Sequence, residues 1–289
     1  MGIEMKIEPR TISIDGHPIF RYLPFMKKRA VGPFVFLDYL PPSEGPAEGL
    51  NVRPHPHIGL STLSYLFKGQ AYHRDSLGNE LVLKPGDVNW MTAGRGIVHS
   101  ERTPDGQAPT ERAQHMLQFW VALPKDKEDM APEFFHHAKS AIPTWTEGDV
   151  EVTLIAGEAR GRRSPVQVHS KLVFMNLRSA KGGHFEFDSG DQALGLIVLE
   201  GRVRVTADQK QETPGHELII FEPGAQIRLD LEAGAHAVLF GGQPFPEERF
   251  IEWNFVSSSK EKIQKAKQDW KDRKFAPVPH ETEFIPLPE

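Results

Sequence analysis

The 289-residue sequence contains no cysteine. That absence removes disulfides, thiolate metal ligands and thiol nucleophiles together, and it leaves histidine and the carboxylates as the only side chains able to hold a metal strongly. No apolar run reaches the roughly 18 residues that a membrane-spanning helix needs, and the opening MGIEMKIEPR lacks the hydrophobic core of a secretory signal. The expectation is a cytoplasmic chain with no membrane partner. Charge of one sign is also missing: 34 Lys and Arg stand scattered among 39 Asp and Glu, for a formal net charge of -5, so no basic face offers itself to nucleic acid. There is no G-x-G-x-x-G after a strand, no P-loop string and no G-x-S-x-G elbow. Dinucleotide, phosphoryl-transfer and serine-hydrolase chemistries therefore have no support.

What is present reads as all-β. Short β-branched and aromatic segments alternate with turn signals, LFKGQ, SLGNE, KPGDV and TAGRG in the first half, then LEGRV, TPGHE, EPGAQ and LFGGQ in the second. Such spacing suits a barrel or sandwich. The charged, proline-punctuated stretch over residues 124 to 150 marks a connector, which divides the chain into an N-terminal domain, 1–135, and a C-terminal domain, 136–289. The exception to the strands is SSSKEKIQKAKQDWKDRKF, where Ser258 or Ser259 can cap a short C-terminal helix and Ile263, Ala266 and Trp270 recur at helical spacing. The proline-rich tail after Pro277 reads as extended.

The two halves also share a cadence. LSYLFKGQAYHR, a turn and LVLKPGDVNWMTAG run like LIVLEGRVRVTA, a turn and TPGHELIIFEPG. With Gly69 laid on Gly201, His57 falls near Ser189, and His99 and Glu101 fall near Arg228 to Leu231. The second copy keeps the turns and lacks the polar residues, so any chemistry belongs to the first.

Those polar residues come in two pairs. In NVRPHPHIGL, His55 and His57 are two residues apart and share one face of an extended segment. Pro56 between them has no backbone N–H, which places the segment at a strand start, an edge or a bulge. In TAGRGIVHSE, His99 and Glu101 repeat the spacing, with Gly94 and Gly96 permitting a tight turn before them. Together they offer three imidazoles and a carboxylate. That set suits iron, manganese, nickel, copper or zinc better than magnesium or calcium, and on an octahedral metal it leaves open positions. His184 and Glu186 mimic the spacing but lack a second pair, and His136 and His137 alternate across a strand in the connector. His73 and Asp75 in YHRDS lie on one face at a strand end, where His73 can serve the rim or support a ligand.

The string HPHIGLSTLSYLFKG, the HRDSLGN turn and the PGDVNWMTAGRGIVHSE segment, set in a duplicated barrel, resemble the pirin family of the cupin superfamily. The likeness is strongest over residues 30 to 125 and continues more faintly to about residue 275. It implies two cupin barrels, double-stranded β-helices of jelly-roll type, packed face to face. It further implies one metal, commonly Fe(II), in the N-terminal barrel alone, on His55, His57, His99 and Glu101. Ordinary cupins place a glutamate a few residues after the paired histidines. Here Ile58, Gly59, Leu60 and Ser61 follow His57, and the carboxylate comes from Glu101 instead.

Some pirin-like proteins are similar to quercetin 2,3-dioxygenases, which open a flavonol ring with O2 and release carbon monoxide; others are described as regulators that bind a protein partner. The resemblance thus implies a flavonol-like substrate and O2; a physical reading of the site then makes Glu101, if it swings off the metal or binds it weakly, a catalytic base, with Phe36, Trp90, Gln118 and His73 as candidates for the pocket wall. A metal- or redox-sensing regulator, and an O2-independent isomerase or hydrolase, are the alternatives that the same fold allows.

Overall fold

A computed structural model describes residues 2–14, 17–42, 49–107 and 113–288 of the chain. Strands dominate, and the one α-helix among the described residues is Lys260–Lys271. The chain divides into two compact units. One comprises Met1–Thr11, Phe20–Leu37 and Ser140–Phe245; the other comprises Ile12–Ile19, Asp38–Lys139 and Pro246–Glu289. The break between Lys139 and Ser140 lies close to the boundary read at residues 135 and 136, but the two terminal segments are each grouped with the opposite half of the sequence.

In the first unit a larger sheet runs in the order Ile3–Ile7, Leu218–Phe221, Ala193–Glu200, Ala235–Gly242, Leu172–Ser179, Val150–Ala159 and Thr144–Glu147. A four-stranded sheet runs Gly183–Asp188, Gln226–Leu231, Val203–Ala207 and Lys210–Glu212. The period-two alternation of these strands sends one set of side chains into a continuous apolar core that includes Phe185, Phe187, Leu196, Ile219, Leu229 and Leu239. Each such residue, fully buried, stabilises the unit by about 1.5–3 kcal/mol. The same alternation turns His184 and Glu186 outward, where His184 Nδ1 donates to Asp230 at 2.6 Å and Glu186 accepts from Arg228 at 2.7 Å. Their ligand-like spacing is real, but its parity puts them on the solvent face.

The second unit repeats the plan. Its four-stranded sheet runs Asn51–His57, Ile97–Arg102, Ala71–Asp75 and Glu80–Leu83. Within this unit a second sheet runs Glu133–His137, Val88–Thr92, Leu60–Lys68 and His115–Ala122. Ile97–Arg102 and Gln226–Leu231 therefore occupy equivalent positions in their sheets, as the repeat laid on Gly69 and Gly201 requires.

The C-terminal segment belongs to this second unit. Ser259 caps the helix by accepting from the Lys262 N–H, and Ile263 and Ala266 are buried in a cluster with Ile58 and Phe255 that Trp270 flanks. Ile58 also pairs with Phe255 as an isolated bridge. The tail continues extended: Trp270 Nε1 donates to the Ile285 carbonyl at 3.0 Å, and the Ile285 N–H donates to Pro54 O at 2.8 Å. Asn51–His57 is an edge strand, and the tail covers part of that edge. No helix among the described residues is long and apolar enough to cross a membrane.

Candidate metal centre

The antiparallel register of Ile97–Arg102 on Asn51–His57 sets His99 opposite His55 and Ile97 opposite His57. Pro56 sits on the edge strand, where its missing N–H costs no ladder bond. Ring nitrogens of His55, His57 and His99 lie within 4.8 Å of one another, and all three residues are buried. The turn that delivers His99 needs Gly94, whose φ is +51° and whose added Cβ would lie 2.2 Å from the Met130 carbonyl. Gly94→Ala is expected to cost about 1–3 kcal/mol through this clash and the left-handed backbone. A lowered Tm with weakened metal retention checks it; an unchanged Tm contradicts it.

Each imidazole's protonation follows from its outer partner. His55 Nδ1–H donates to the Arg53 carbonyl at 2.9 Å, and His57 Nδ1–H donates to the Asn254 carbonyl at 3.0 Å. A carbonyl oxygen can only accept, so both neutral rings carry their hydrogen on Nδ1 and present a lone pair at Nε2. His57 Nε2 lies 3.1 Å from His99 Nε2, so without a cation His99 must supply the hydrogen between them. His99 Nδ1 is then left buried with no partner. A divalent cation accepts the converging lone pairs directly, and three neutral nitrogens beside a carboxylate suit a borderline transition metal. The residues fit the group.

Burial lowers the basicity of all three histidines, well below the ordinary value for His57 and His99. The neighbouring imidazoles lower it further at His57 and His99, while the Arg53 carbonyl and the Glu101 charge oppose the shift at His55. These groups are therefore neutral, the metal-binding form, at neutral pH. In the unfolded chain they take up protons below about 6.5, which the folded state resists. Stability is thus present above that pH and falls as the pH drops below it. Metal-stripped protein is expected to melt at a lower temperature at pH 5 than at pH 7.5, with less difference in a variant carrying all three histidines as Gln; equal pH dependence in the two contradicts this origin.

Glu101 lies alongside, close enough for its charge to act on His55 but outside the group of ligand atoms that meet within 4.8 Å. It stands opposite His73 in the sheet, and its Oε1 accepts from Ser64 Oγ at 3.0 Å. Ser64 Oγ is also 2.7 Å from the Gln118 side-chain amide. One hydroxyl proton serves one acceptor, so orienting the Gln118 NH2 toward Ser64 leaves the serine proton for Glu101. Gln118, Ser64 and Glu101 thus form a chain, and the groups that meet within 4.8 Å among the described residues are the three histidines.

The other pocket candidates are placed as follows. His73 is buried, donates from Nε2 to Asp75 at 3.1 Å and stacks on Phe134 with ring centroids 4.4 Å apart; its ring centroid is 5.5 Å from that of His99. Burial pushes the Asp75 carboxyl up, but hydrogen bonds from His73 and Asn79 outweigh it and leave the group below its ordinary value. Trp90 pairs in register with Leu63 and Phe135, one residue off the Ser64 row, and so faces the opposite side of the sheet from Ser64 and Gln118. Phe36 belongs to the first unit, with the Arg21 guanidinium 4.6 Å over its ring.

Three residues that sequence reasoning passed over stand at the site. Trp120 packs edge-on to His57 with centroids 5.1 Å apart, Phe134 covers His73, and Ser64 holds Glu101. Trp120 shares the parity of Gln118 two residues before it, which is the one sequence signal that could have found it.

The chain matches the family model described as Pirin over residues 16–121 and that described as Pirin C-terminal cupin domain over residues 174–276. It is 42% identical over 297 residues to a pirin-like protein of Caulobacter vibrioides, covering 99% of this chain and 100% of that one. The solved structure of a quercetin 2,3-dioxygenase from Acinetobacter baumannii superposes with a TM-score of 0.90 at 32% identity, over 99% of this chain and 95% of that one. The bacterial pirin YhhW of Escherichia coli, solved with nickel(II), shares the fold at 17% identity and a TM-score of 0.63, over 83% of this chain and 99% of that one. With two cupin domains, a cluster of three buried imidazoles in one of them and relatives that match nearly end to end, the chain belongs to the pirin family.

Proposed function

We propose that His55, His57 and His99 hold one divalent transition metal, Fe(II) in our assignment, and that the unit opens the ring of a quercetin-like flavonol with O2. The observation that carries this is the convergence of three buried, neutral imidazoles beside a carboxylate that a hydrogen bond holds to one side. The 32% identity to a protein solved as a quercetin 2,3-dioxygenase supports the choice of substrate.

A metal bound there would acidify a coordinated 3-hydroxyl and supply the redox chemistry that couples the substrate to O2. The remaining work falls to this chain. Glu101, held by Ser64 and outside the group of ring nitrogens that meet within 4.8 Å, is positioned as the general base that takes the 3-hydroxyl proton. Trp120 and Phe134 line the same side of the sheet with apolar surface against which a flat aromatic ring can lie, and they keep water from His57 and His73. Arg53 and Asn254 hold two rings at fixed orientation through their backbone carbonyls. The overall reaction balances without an external reductant: one flavonol and one O2 give one ring-opened ester and one carbon monoxide.

The test is O2 uptake by the Fe(II)-loaded protein with quercetin, coupled to detection of carbon monoxide in equal amount. Stoichiometric uptake and release support the assignment. Tight metal binding with no flavonol-dependent uptake overturns it.

A further inference from the structure

The two cupin units act as a control for one another. In the apolar unit the inward position equivalent to Ser64 is Leu196, which pairs in register with Ile219 on one side and Leu239 on the other, and all three sit in a solid core. In the histidine-bearing unit the same row carries Ser64, paired with Asn89 on one side and Gln118 on the other, and Asn89 pairs onward with His136. Directly opposed residues of an antiparallel pair project from the same face, so Gln118, Ser64, Asn89 and His136 form one polar row across the sheet. Ser64 shows which way it faces, since its hydroxyl reaches Glu101.

Placing Gln118, Ser64 and Asn89 where the sister barrel uses Leu239, Leu196 and Ile219 forfeits apolar burial and carries a desolvation cost unless the groups are satisfied, while the edge position is polar in both, His136 here and Lys6 there. The row satisfies itself only in part. His136 Nδ1 donates to Asn89 Oδ1 at 2.8 Å, and His136 Nε2 stands 3.8 Å from Asp87. Among the described residues these contacts leave the Asn89 NH2 hydrogens to a ligand or water. Asn89 is buried, while His136 keeps 31% of its side chain exposed, so the row leads from the Glu101 side toward solvent. Neighbouring strands lie about 4.8 Å apart, which puts His136 roughly 10 Å from Ser64, two strands away. That is the reach of a second aromatic ring joined to a first.

We propose that Asn89 and His136 are specificity-determining residues that hydrogen-bond the hydroxyls on the distal ring of the substrate, so that the site selects polyhydroxylated flavonols over those with an unsubstituted distal ring. This rests on the metal-dependent flavonol chemistry assigned above. The Asn89 NH2 donates to a phenolic oxygen, and the exposed edge of His136 takes the neighbouring hydroxyl. One hydrogen bond contributes about 0.5–1.5 kcal/mol net, so two give the wild type a preference on the order of 10-fold.

The experiment measures, anaerobically, the Kd of the metal-loaded protein for quercetin and for 3-hydroxyflavone, which keeps the chelating oxygens but has no distal hydroxyl. It is repeated for Asn89→Leu, His136→Phe and the conservative His136→Gln, each first checked for Tm and metal content. The readout is the ratio of the two affinities. A wild-type preference for quercetin of about 10-fold, collapsing toward unity in Asn89→Leu and His136→Phe and partly kept in His136→Gln, supports the proposal. A wild type without preference, or variants that weaken both ligands equally, overturns it while leaving the flavonol assignment standing. Failure of the metal-loaded wild type to bind either flavonol is a separate result, visible before any variant is made, and it removes the flavonol assignment and this proposal together.

Discussion

His57→Ala is expected to leave the protein unable to retain its metal and without flavonol-dependent O2 uptake. His57 is 1% exposed, its Nε2 faces His99, and its Nδ1–H is pinned to the Asn254 carbonyl. Losing an outer partner of a metal-binding histidine alone costs about 10–100-fold in affinity, so losing the ligand itself exceeds the upper end of that range. Two imidazoles remain, too few to compete with water. The substitution also leaves a void beside Trp120 and the Asn254 carbonyl unpaired, so some loss of Tm accompanies it. His57→Gln, which fills more of the space, separates the two effects. Elemental analysis after anaerobic loading and desalting is the check. Near-stoichiometric metal in a folded His57→Ala protein contradicts the assignment of this residue.

Glu101→Gln is expected to do the opposite: keep the metal and lose the rate. The carboxylate is held by Ser64, outside the set of groups that meet at the histidines, so the amide should leave occupancy near wild type. Removing a general base costs about 10²–10⁴-fold in kcat, and the amide nitrogen cannot accept the 3-hydroxyl proton. Ser64→Ala removes the tether but leaves the base, and should lower kcat by about 3–10-fold, the worth of one net hydrogen bond. Metal content measured with kcat on the same preparations decides the matter. If Glu101→Gln empties the site as completely as His57→Ala, Glu101 is a ligand first, and its role as a free base falls.

The histidines were legible because their geometry is local. A two-residue spacing puts side chains on one face of a strand wherever that strand lies, and Pro56 and the glycines before His99 mark an edge and a turn without further context. The repeat was legible for a similar reason, since turns are written in glycine and proline. What lay beyond the sequence depends on pairing between distant strands. Trp90 and Gln118 both sit in strands that pair with Leu60–Lys68, and only that register puts Gln118 on the Ser64 face and Trp90 on the other. His184 and Glu186 carry the right spacing on the wrong parity, because Phe185 and Phe187 alternate with them and take the core face. The grip on His57 comes from a backbone carbonyl 197 residues away. Any residue at position 254 offers a carbonyl, so the contact leaves no mark in side-chain identity.

The C-terminal helix was evident from Ser259 and the spacing of Ile263, Ala266 and Trp270, but which unit it serves follows from burial against Ile58, next to His57. A segment that follows the strands of one unit in sequence is thereby part of the other, which carries the three histidines.

The central claim is that three imidazoles share one ion. X-ray absorption at the metal edge, on protein loaded anaerobically with one equivalent of Fe(II) and then desalted, tests it most directly. The account predicts that the iron stays with the protein and that its scattering carries the signature of three imidazole rings. Iron lost on desalting, or retained in a shell of oxygen ligands without imidazole, would contradict it.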